Sequence, residues 1–407
     1  MRVLVVSQFF SPENFYINQV VSTLVNKGIE VEVLTGKPNY PEGFFYLGYH
    51  AWGFQIEEIL GCKVYRIPIV ARYSGSTFWL ALNYLSFVLS GLLLAPWLVR
   101  FQKYDAIFVY GVSPILQALP ALFIGWLKSA PVVLWVQDLW PESLAATGYI
   151  RNKWILAWVR QLVRFIYHHS DLLLVQSKGF EVPVGALAPG KRVVYFPNSV
   201  ESIFIDPPNI PLPAINALDK GFPIIFAGNL GKGQAVEVLV ELAALLKSYD
   251  DINLIVLGKG SRWDWMMEQV TARNLTNLHL PGRFPIYTMP GLMKKAEALL
   301  VTLADEPIFA ATVPNKIQAY MAAGRPILAC LNGEGARIVQ DSGAGITIAA
   351  ENAPALAAAV IKLYGMSAQD RADMGARGPL YFKEHFDHNR LIDGLIRHLS
   401  ALSRIED

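Results

Sequence analysis

Two doubly wound α/β domains in tandem are what this sequence predicts, and three observations carry the prediction. The chain has 407 residues, too long for one ordinary domain and suited to two of about 100–200 residues each. Short Val/Ile/Leu runs alternate with helical patterns along most of its length, as in a parallel sheet covered on both faces. The alternation breaks at Asp206-Pro-Pro-Asn-Ile-Pro-Leu-Pro213, where four prolines make a stiff linker, and then restarts.

In the first half, strands are expected at 3–6, 31–34, 63–67, 106–110, 132–136, 172–175 and 193–196. Most are continuous apolar runs, as strands buried on both faces should be. Helical patterns occupy 14–26, 78–100, 116–127 and 152–169. After the prolines the expected strands are 222–227, 253–257, 278–280, 298–302 and 326–329. The expected helices there are 235–247, 262–273, 287–295, 315–323 and 335–341, with a helical tail over 354–402. The domains are then 1–205 and 206–385. Ligands of such folds bind at the carboxyl ends of the strands, so a cleft between two such ends is the expected site.

Hydrophobic residues make up 53% and charged residues 17%, which excludes intrinsic disorder. A net charge of +2 gives no polyelectrolyte field, so nucleic acid is not an expected partner. Cys62 and Cys330 support neither a disulfide framework nor a cysteine-built zinc site, and they fit a reducing compartment. The opening MRVLVVSQFF reads as a first strand and not as a signal peptide.

Mean hydropathy is +0.33, greasy for a soluble enzyme. The stretch Phe78–Val99 is uncharged and long enough to be a membrane-span candidate. Asn83, Ser86, Ser90 and Pro96 weaken a true span. The alternatives are a buried helix and one that dips into the bilayer interface.

Several loops carry chemistry. Phe226-Ala-Gly-Asn-Leu-Gly-Lys-Gly-Gln234 sits between a strand and a helix. Gly228, Asn229, Gly231, Lys232 and Gly233 there are candidates to hold a phosphate, as is Gly258 in the similar Leu257-Gly-Lys-Gly-Ser261 loop. In Pro314-Asn-Lys-Ile-Gln-Ala-Tyr-Met-Ala-Ala-Gly-Arg-Pro326, Lys316 opens a helix, where the macrodipole disfavours a cation. Lysine and helix end would make sense there by sharing an anion; an ordinary solvated lysine is the alternative. Asp138 closes a strand in Leu134-Trp-Val-Gln-Asp-Leu-Trp-Pro-Glu-Ser143. It reads either as a base or hydroxyl contact, or as a helix cap. Ser11 is a candidate cap with Pro12 at the first helical position, and Glu13 and Asn14 beside it are candidate acceptor or phosphate contacts. The segment 151–169 mixes cations and aromatics, with Arg160 and Arg164 a turn apart. It suits an anionic membrane surface or an ordinary amphipathic helix. No HExxH or GxSxG motif is present, which disfavours a zinc hydrolase and a serine esterase.

Together these motifs resemble glycosyltransferase family 4, the retaining GT-B enzymes, over nearly the whole chain. His168-His-Ser-Asp-Leu-Leu-Leu-Val-Gln-Ser177 looks like the family's "aromatic, basic, x-A-D-x-I-x-x-x-S" stretch, and Tyr195-Phe-Pro-Asn-Ser-Val200 like its PNGV turn. The Ala227-Gly-Asn-Leu-Gly and Pro314–Pro326 segments look like its donor-site signatures. The wording of the glycine loop and of Asp-Leu-Trp-Pro-Glu-Ser is closest to the WbuB-like branch, assigned L-fucosamine transfer in surface-polysaccharide assembly. The resemblance implies a GT-B fold of two Rossmann-like domains facing a cleft, with a C-terminal helix, 386–407, that crosses back onto the first domain.

Three departures stand out. Asn229 replaces the family's usual arginine. Ala311 and Ala319 stand where many members carry Glu-x7-Glu, whose second Glu binds the donor ribose. Gln137 falls near the usual acceptor-side histidine. Asp305, Glu306, Gln318 and Glu334 are the candidate substitutes.

The resemblance implies transfer of a sugar, N-acetyl-L-fucosamine in the WbuB-like branch, from a nucleotide-diphosphate (UDP-linked) donor. The acceptor would be a polyprenyl-diphosphate-linked saccharide at the cytoplasmic face of the inner membrane, in O-antigen or capsule assembly. On this reading Lys316, Lys232 and the amides of 231–233 stabilise the leaving diphosphate without metal or cofactor. Gly228, Gly258, Asn315 and Glu334 join the donor site, Asp138 deprotonates or positions the acceptor hydroxyl, and Glu13, Asn14 and Glu142 contact the acceptor. Two rivals are a GT-B sugar-nucleotide epimerase and a non-catalytic scaffold of a polysaccharide-assembly complex.

Overall fold

The computed structural model describes residues 1–73, 76–146 and 152–403, and the chain divides into two compact units, Met1–Pro197 with His388–Asp407, and Asn198–Asp387.

The first unit is built on eight strands: β1 (Arg2–Val6), β2 (Glu30–Gly36), β3 (Gln55–Ile59), β4 (Cys62–Ile67), β5 (Ala106–Gly111), β6 (Val132–Val136), β7 (Leu172–Val175) and β8 (Val193–Tyr195). Their order is β3-β4-β2-β1-β5-β6-β7-β8. The pairs are parallel except β3–β4, an antiparallel edge. Most of the expected strands are apolar and buried, whereas β3 (Gln-Ile-Glu-Glu-Ile) is a half-exposed edge strand that carries no apolar run. The helices are α1 (Ile17–Asn26), α2 (Thr77–Leu98), α3 (Ala118–Lys128), α4 (Glu142–Ala146), α5 (Lys153–His169) and α6 (Glu181–Leu187). Of these, α2, α3 and α5 pack side by side. On the other face Ile17, Val20, Val21 and Leu24 of α1 join Val3, Val5, Val31, Val33 and Trp135 in one core.

The second unit has six parallel strands, β9 (Phe222–Ala227), β10 (Ile252–Leu257), β11 (Leu278–Gly282), β12 (Ala298–Thr302), β13 (Ile327–Cys330) and β14 (Gly345–Ile348), in the order β11-β10-β9-β12-β13-β14. Its helices are α7 (Ser202–Ile205), α8 (Glu237–Leu245), α9 (Trp263–Ala272), α10 (Met289–Lys295), α11 (Pro307–Ala311), α12 (Lys316–Ala323), α13 (Glu334–Ser342), α14 (Ala353–Tyr364) and α15 (Ala368–His385). Apolar clusters cover both sheet faces, one around Leu239, Leu242 and Val360, the other around Ile317, Tyr320 and Val339. The last helix, α16 (His388–Ser403), packs on α1 and β5 of the first unit. His388 is its anchor, its two ring nitrogens each 2.7 Å from a hydroxyl, of Tyr16 and of Thr23.

The division thus falls at Pro197–Asn198, not at 205, and the proline-rich stretch lies inside the second unit. Ile215 and Leu218 hold that segment to the second core, which composition alone does not reveal. Ser11 does not cap a helix: α1 starts at Ile17, and the loop before it is held by Glu13. In each sheet the chain runs outward in both directions from a central strand. The reversal lies between β1 and β5 in the first and between β9 and β12 in the second. Loops leaving those strands flank the crevice where α/β proteins bind ligands.

Candidate active site

In the second unit the glycine loop leaves β9 at Ala227. Gly228 has φ +142°, and a short 3-10 turn follows at Lys232–Gln234. The Gly258 loop after β10 packs directly against it: a Cβ at 258 would overlap the Gly228 carbonyl oxygen. Glycine is therefore required for the close approach of these two loops. Asn229 is exposed, and its side-chain oxygen lies 2.6 Å from where a Cβ on Gly260 would stand. Gly233 faces the Phe309 ring in the same way, at 2.7 Å. Lys232 points to solvent.

Lys316 begins α12 and reaches back across the carboxyl end of β9. Its Nζ stands 3.9 Å from the centre of the Phe226 ring and donates to Gln234 Oε1. The wholly buried Tyr320, one turn on, accepts from the Ala227 amide at 2.9 Å and fixes α12 against β9. Desolvation is the one cause acting on the Lys316 ammonium, and it draws the pKa from 10.5 down to about 7. A cation held this way, beside a glycine loop and with no charged partner among the described residues to offset its burial, is suited to meet an anion that arrives with a ligand.

The substitutes for the missing Glu-x7-Glu separate clearly. Ala311 and Ala319 carry no side-chain oxygen to offer. Gln318 is fully buried, and its amide group faces the carbonyls of Asn315 and Pro314, at 3.3 and 3.1 Å, so it is a strut inside α12 and not a ribose ligand. Asp305 and Glu306 are exposed past β12, and Asp305 accepts from Asn332 Nδ2 at 2.8 Å. Glu334, at the start of α13 past β13, is held by Arg337 at 2.6 and 3.2 Å. Asn315 is exposed and accepts from Asn198 Nδ2 at 3.0 Å.

In the first unit Asp138 stands just past β6. It accepts from the Ser113 amide at 3.1 Å and the Ser113 hydroxyl at 2.9 Å. Trp140 Nε1 donates to the same hydroxyl at 2.9 Å. Asp138 therefore receives the β5 loop and caps no helix, and Ser143 instead donates to Leu139 O at 2.6 Å. Burial pushes the Asp138 carboxyl up from its ordinary value, and the two Ser113 hydrogen bonds pull against that. Tyr167 of α5 is buried close enough to Asp138 and Glu142 for both carboxylates to raise its phenol further.

Glu13 has a different place from the one expected. It is buried, and its carboxylate accepts from the amides of Asn39 at 2.8 Å, Tyr40 at 2.7 Å and Phe10 at 3.3 Å. It ties the loop after β1 to the loop after β2, and burial raises it to about 7. Glu142 is paired with Arg160 at 2.9 Å, while Asn14 is exposed. Arg151 lies outside the described residues, and Arg164 is exposed on α5.

Asn83 and Ser86 of α2 point inward. Asn83 accepts from Gln8 Nε2 at 2.7 Å and donates to Val70 O at 2.5 Å, and Ser86 accepts from the Val70 amide at 2.9 Å. The Gln8 amide in turn donates to Gln117 Oε1 at 2.7 Å, tying the loops of the β1/β5 reversal together. The outward face of α2 carries Phe78, Leu85, Leu89, Leu93 and Trp97, each at least 50% exposed. Trp126, Trp154, Trp158 and Phe165 of α3 and α5 are exposed as well.

The described architecture matches solved structures from end to end. A trehalose-6-phosphate protein of Escherichia coli bound with UDP-2-fluoro glucose aligns over 98% of this chain and 99% of its own, at TM-score 0.73 and 14% identity. Sucrose-phosphate synthase of Thermosynechococcus elongatus aligns over 98% and 99%, at 0.70 and 15%. These likenesses establish the fold. In sequence, residues 14–199 match the model of the glycosyl transferase 4-like domain, and residues 221–366 match that of glycosyl transferases group 1. The chain is a GT-B glycosyltransferase with the domain pair of family 4. Of the activities left open by its sequence, both models name the transferase. The transferase is 26% identical over 346 residues to WcaI of Escherichia coli K12, named as a colanic acid biosynthesis glycosyl transferase, covering 80% of this chain and 82% of the relative. It is 27% identical over 242 residues to the glycosyltransferase WbjE of Pseudomonas aeruginosa, covering 58% and 60%.

Sequence reasoning missed Gln234, Phe226 and Tyr320 around Lys316, and Ser113 and Tyr167 around Asp138. Gln234 closed the glycine motif and so was in view, but nothing in the motif says that its amide meets Lys316. The others are joined to their partners only by the sheet.

Proposed function

We propose that the transferase moves a sugar, with retention of configuration, from a nucleoside-diphosphate sugar bound by the second unit to a polyprenyl-diphosphate-linked saccharide bound by the first, in surface-polysaccharide assembly. The observation that carries the reading is Lys316, desolvated against Phe226 and Gly228 at the β9/β12 reversal with a glycine loop beside it. As the sugar–phosphate bond breaks, charge builds on the leaving diphosphate. The Lys316 ammonium and the loop amides meet that charge in a site of low dielectric. Asp138, held by Ser113, takes or orients the acceptor hydroxyl proton. Glu334, Asp305 and Glu306 are the carboxylates left to meet the donor ribose in place of Ala319.

The colanic acid role named for WcaI supports polysaccharide assembly, and the WbuB-like wording supports a UDP-linked N-acetyl-L-fucosamine donor. The outward apolar face of α2, with the aromatics of α3 and α5, supports seating on the cytoplasmic face of the inner membrane, where such an acceptor resides. On this reading α2 lies in the interface, because its polar side is used up inside the domain.

The test is incubation of membrane-bound enzyme with a panel of UDP- and GDP-sugars and a polyprenyl-diphosphate-sugar acceptor, reading free nucleoside diphosphate. Release that needs both substrates and collapses in Lys316→Ala is the expected result. No release with any donor, together with no donor binding, overturns the proposal.

A further inference from the structure

Between α2, α3 and α5 the first unit contains a cavity of about 550 Å³. Leu92, Leu122, Phe123, Trp126 and Phe165 make its walls, and His169 sits at its polar end. The size is within the ~300–1,000 Å³ of pockets that take small ligands, and the lining is mainly hydrocarbon. The cavity reaches the amino edge of β6 and β7, where Pro131, Val132 and Asp171 are part of its lining. Asp138 stands past the other end of β6, a strand that spans roughly 16 Å. The cavity is therefore separate from the acceptor end of the sheet.

The surroundings indicate which apolar ligand it takes. None of the helices α2, α3 and α5 contains an acidic residue, whereas Lys128, Lys153, Arg160 and Arg164 lie on them, and Arg100 and Lys103 follow α2. Lys128, next to the lining residue Ser129, donates to the Arg100 carbonyl at 2.8 Å, which joins the ends of α2 and α3. The Arg100 guanidinium rests over the rings of Trp97 and Phe101, 4.4 Å from each centre. Asp171, the acidic group at the cavity, is engaged by the Val132 amide at 2.7 Å. A hydrocarbon slot next to aromatics and two unpaired-charge side chains matches an anionic amphiphile.

We propose that this cavity takes one acyl chain of an anionic bilayer phospholipid, with Arg100 and Lys128 meeting its phosphate. The proposal rests on the membrane seating above and adds a defined lipid site to it. A lipid so held would fix which way the face sits on the bilayer, rather than leave the domain free to slide on its greasy helix.

The experiment uses the full chain with phosphatidylethanolamine/phosphatidylglycerol vesicles. They contain tracer phosphatidylglycerol bearing a diazirine midway along one acyl chain. After irradiation, label is expected on peptides 119–126 and 163–169. Leu122→Trp, which fills the cavity, should cut that label at least fivefold, while sedimentation with vesicles stays within twofold. Leu92→Trp is the second filling variant should the first fail to fold by circular dichroism. Arg100→Gln with Lys128→Gln should cut the same label. Label confined to residues 85–97 and unmoved by cavity filling overturns the proposal but leaves membrane seating intact. Loss of the cavity label to equimolar polyprenyl phosphate also overturns it, by assigning the slot to the acceptor's chain. Failure of the wild-type chain to sediment with vesicles overturns the seating itself.

Discussion

Lys316 lies along the open side of Gly228, so close that a methyl group at 228 would stand 2.5 Å from its Cε and 3.0 Å from its Nζ. The glycine keeps the space in which the lysine is held, and its φ of +142° is one that L side chains rarely adopt. Gly228→Ala should displace the ammonium without touching the sheet. Nucleoside-diphosphate affinity, measured by calorimetry, should fall at least about tenfold, or ~1.4 kcal/mol. Unchanged affinity would mean that this loop does not place the lysine.

The Lys316 pKa gives a pH signature. In the free protein it is about 7, against 10.5 for an ordinary lysine. Between those values the unfolded chain holds a proton that the folded one has lost, so this group's contribution to stability rises with pH from 7 toward 10.5. A bound diphosphate favours the ammonium and raises the pKa again. Donor binding above pH 7 should therefore take up a proton and weaken as pH climbs. Calorimetry at pH 8 in buffers of different ionisation enthalpy should find uptake approaching one proton, absent in Lys316→Met. The same variant should melt above the wild type at pH 7 while being inactive, because a desolvated cation is replaced by an apolar chain.

Fold class was legible because strands such as Val132–Val136 are buried on both faces and read as unbroken apolar runs. The edge strand Gln55–Ile59 is half exposed and was not legible. The glycine loop and Lys316 were legible as separate signals, since each breaks a local rule: glycines between strand and helix, and a cation at a helix start. Their contact was not, because 82 residues separate Lys316 from Gln234 and only the β9–β12 pairing brings them together. The contacts of Glu13 were not legible for the same reason. Its partners Asn39 and Tyr40 follow a different strand, and a carboxylate next to a Ser-Pro turn looks exposed until the sheet is assembled.

Asp138 tests the acceptor side. Asparagine at 138 can still accept from Ser113 but cannot take a proton, so Asp138→Asn should lower kcat by about 10²–10⁴-fold with its melting temperature little changed. Burial raises this carboxyl, so the acidic limb of the rate profile should lie above that of an ordinary aspartate. Ser113→Ala removes a hydrogen bond that favours the charged form, and should move that limb to still higher pH. A pH profile unmoved by Ser113→Ala would remove Asp138 as the titrating group.

Asn83 should matter to folding and not to chemistry. Asn83→Leu leaves the Gln8 side-chain amide and the Val70 carbonyl without their partner inside the domain. Each buried group left so costs about 1–3 kcal/mol, and urea unfolding should show a loss of that size. An apolar replacement that stabilises the protein would mean that α2 does not bury its polar side.

The opposite side of the same helix should behave in the opposite way. Leu89 and Leu93 are 60% and 76% exposed, so a carboxylate at either displaces little packing. Leu89→Glu with Leu93→Glu should leave the urea midpoint within about 0.5 kcal/mol of the wild type, as for surface substitutions generally. If this face lies in lipid, the same two carboxylates enter hydrocarbon next to anionic headgroups, and the cost is several kcal/mol. Sedimentation with anionic vesicles should then drop by at least tenfold, and turnover of a lipid-linked acceptor should drop with it. Hydrolysis or transfer measured on a short, detergent-soluble acceptor should persist, because neither side chain takes part in the contacts that hold Asp138 or those that hold Lys316. Equal loss on both acceptors would instead point to a fold defect carried through the Asn83 side of α2.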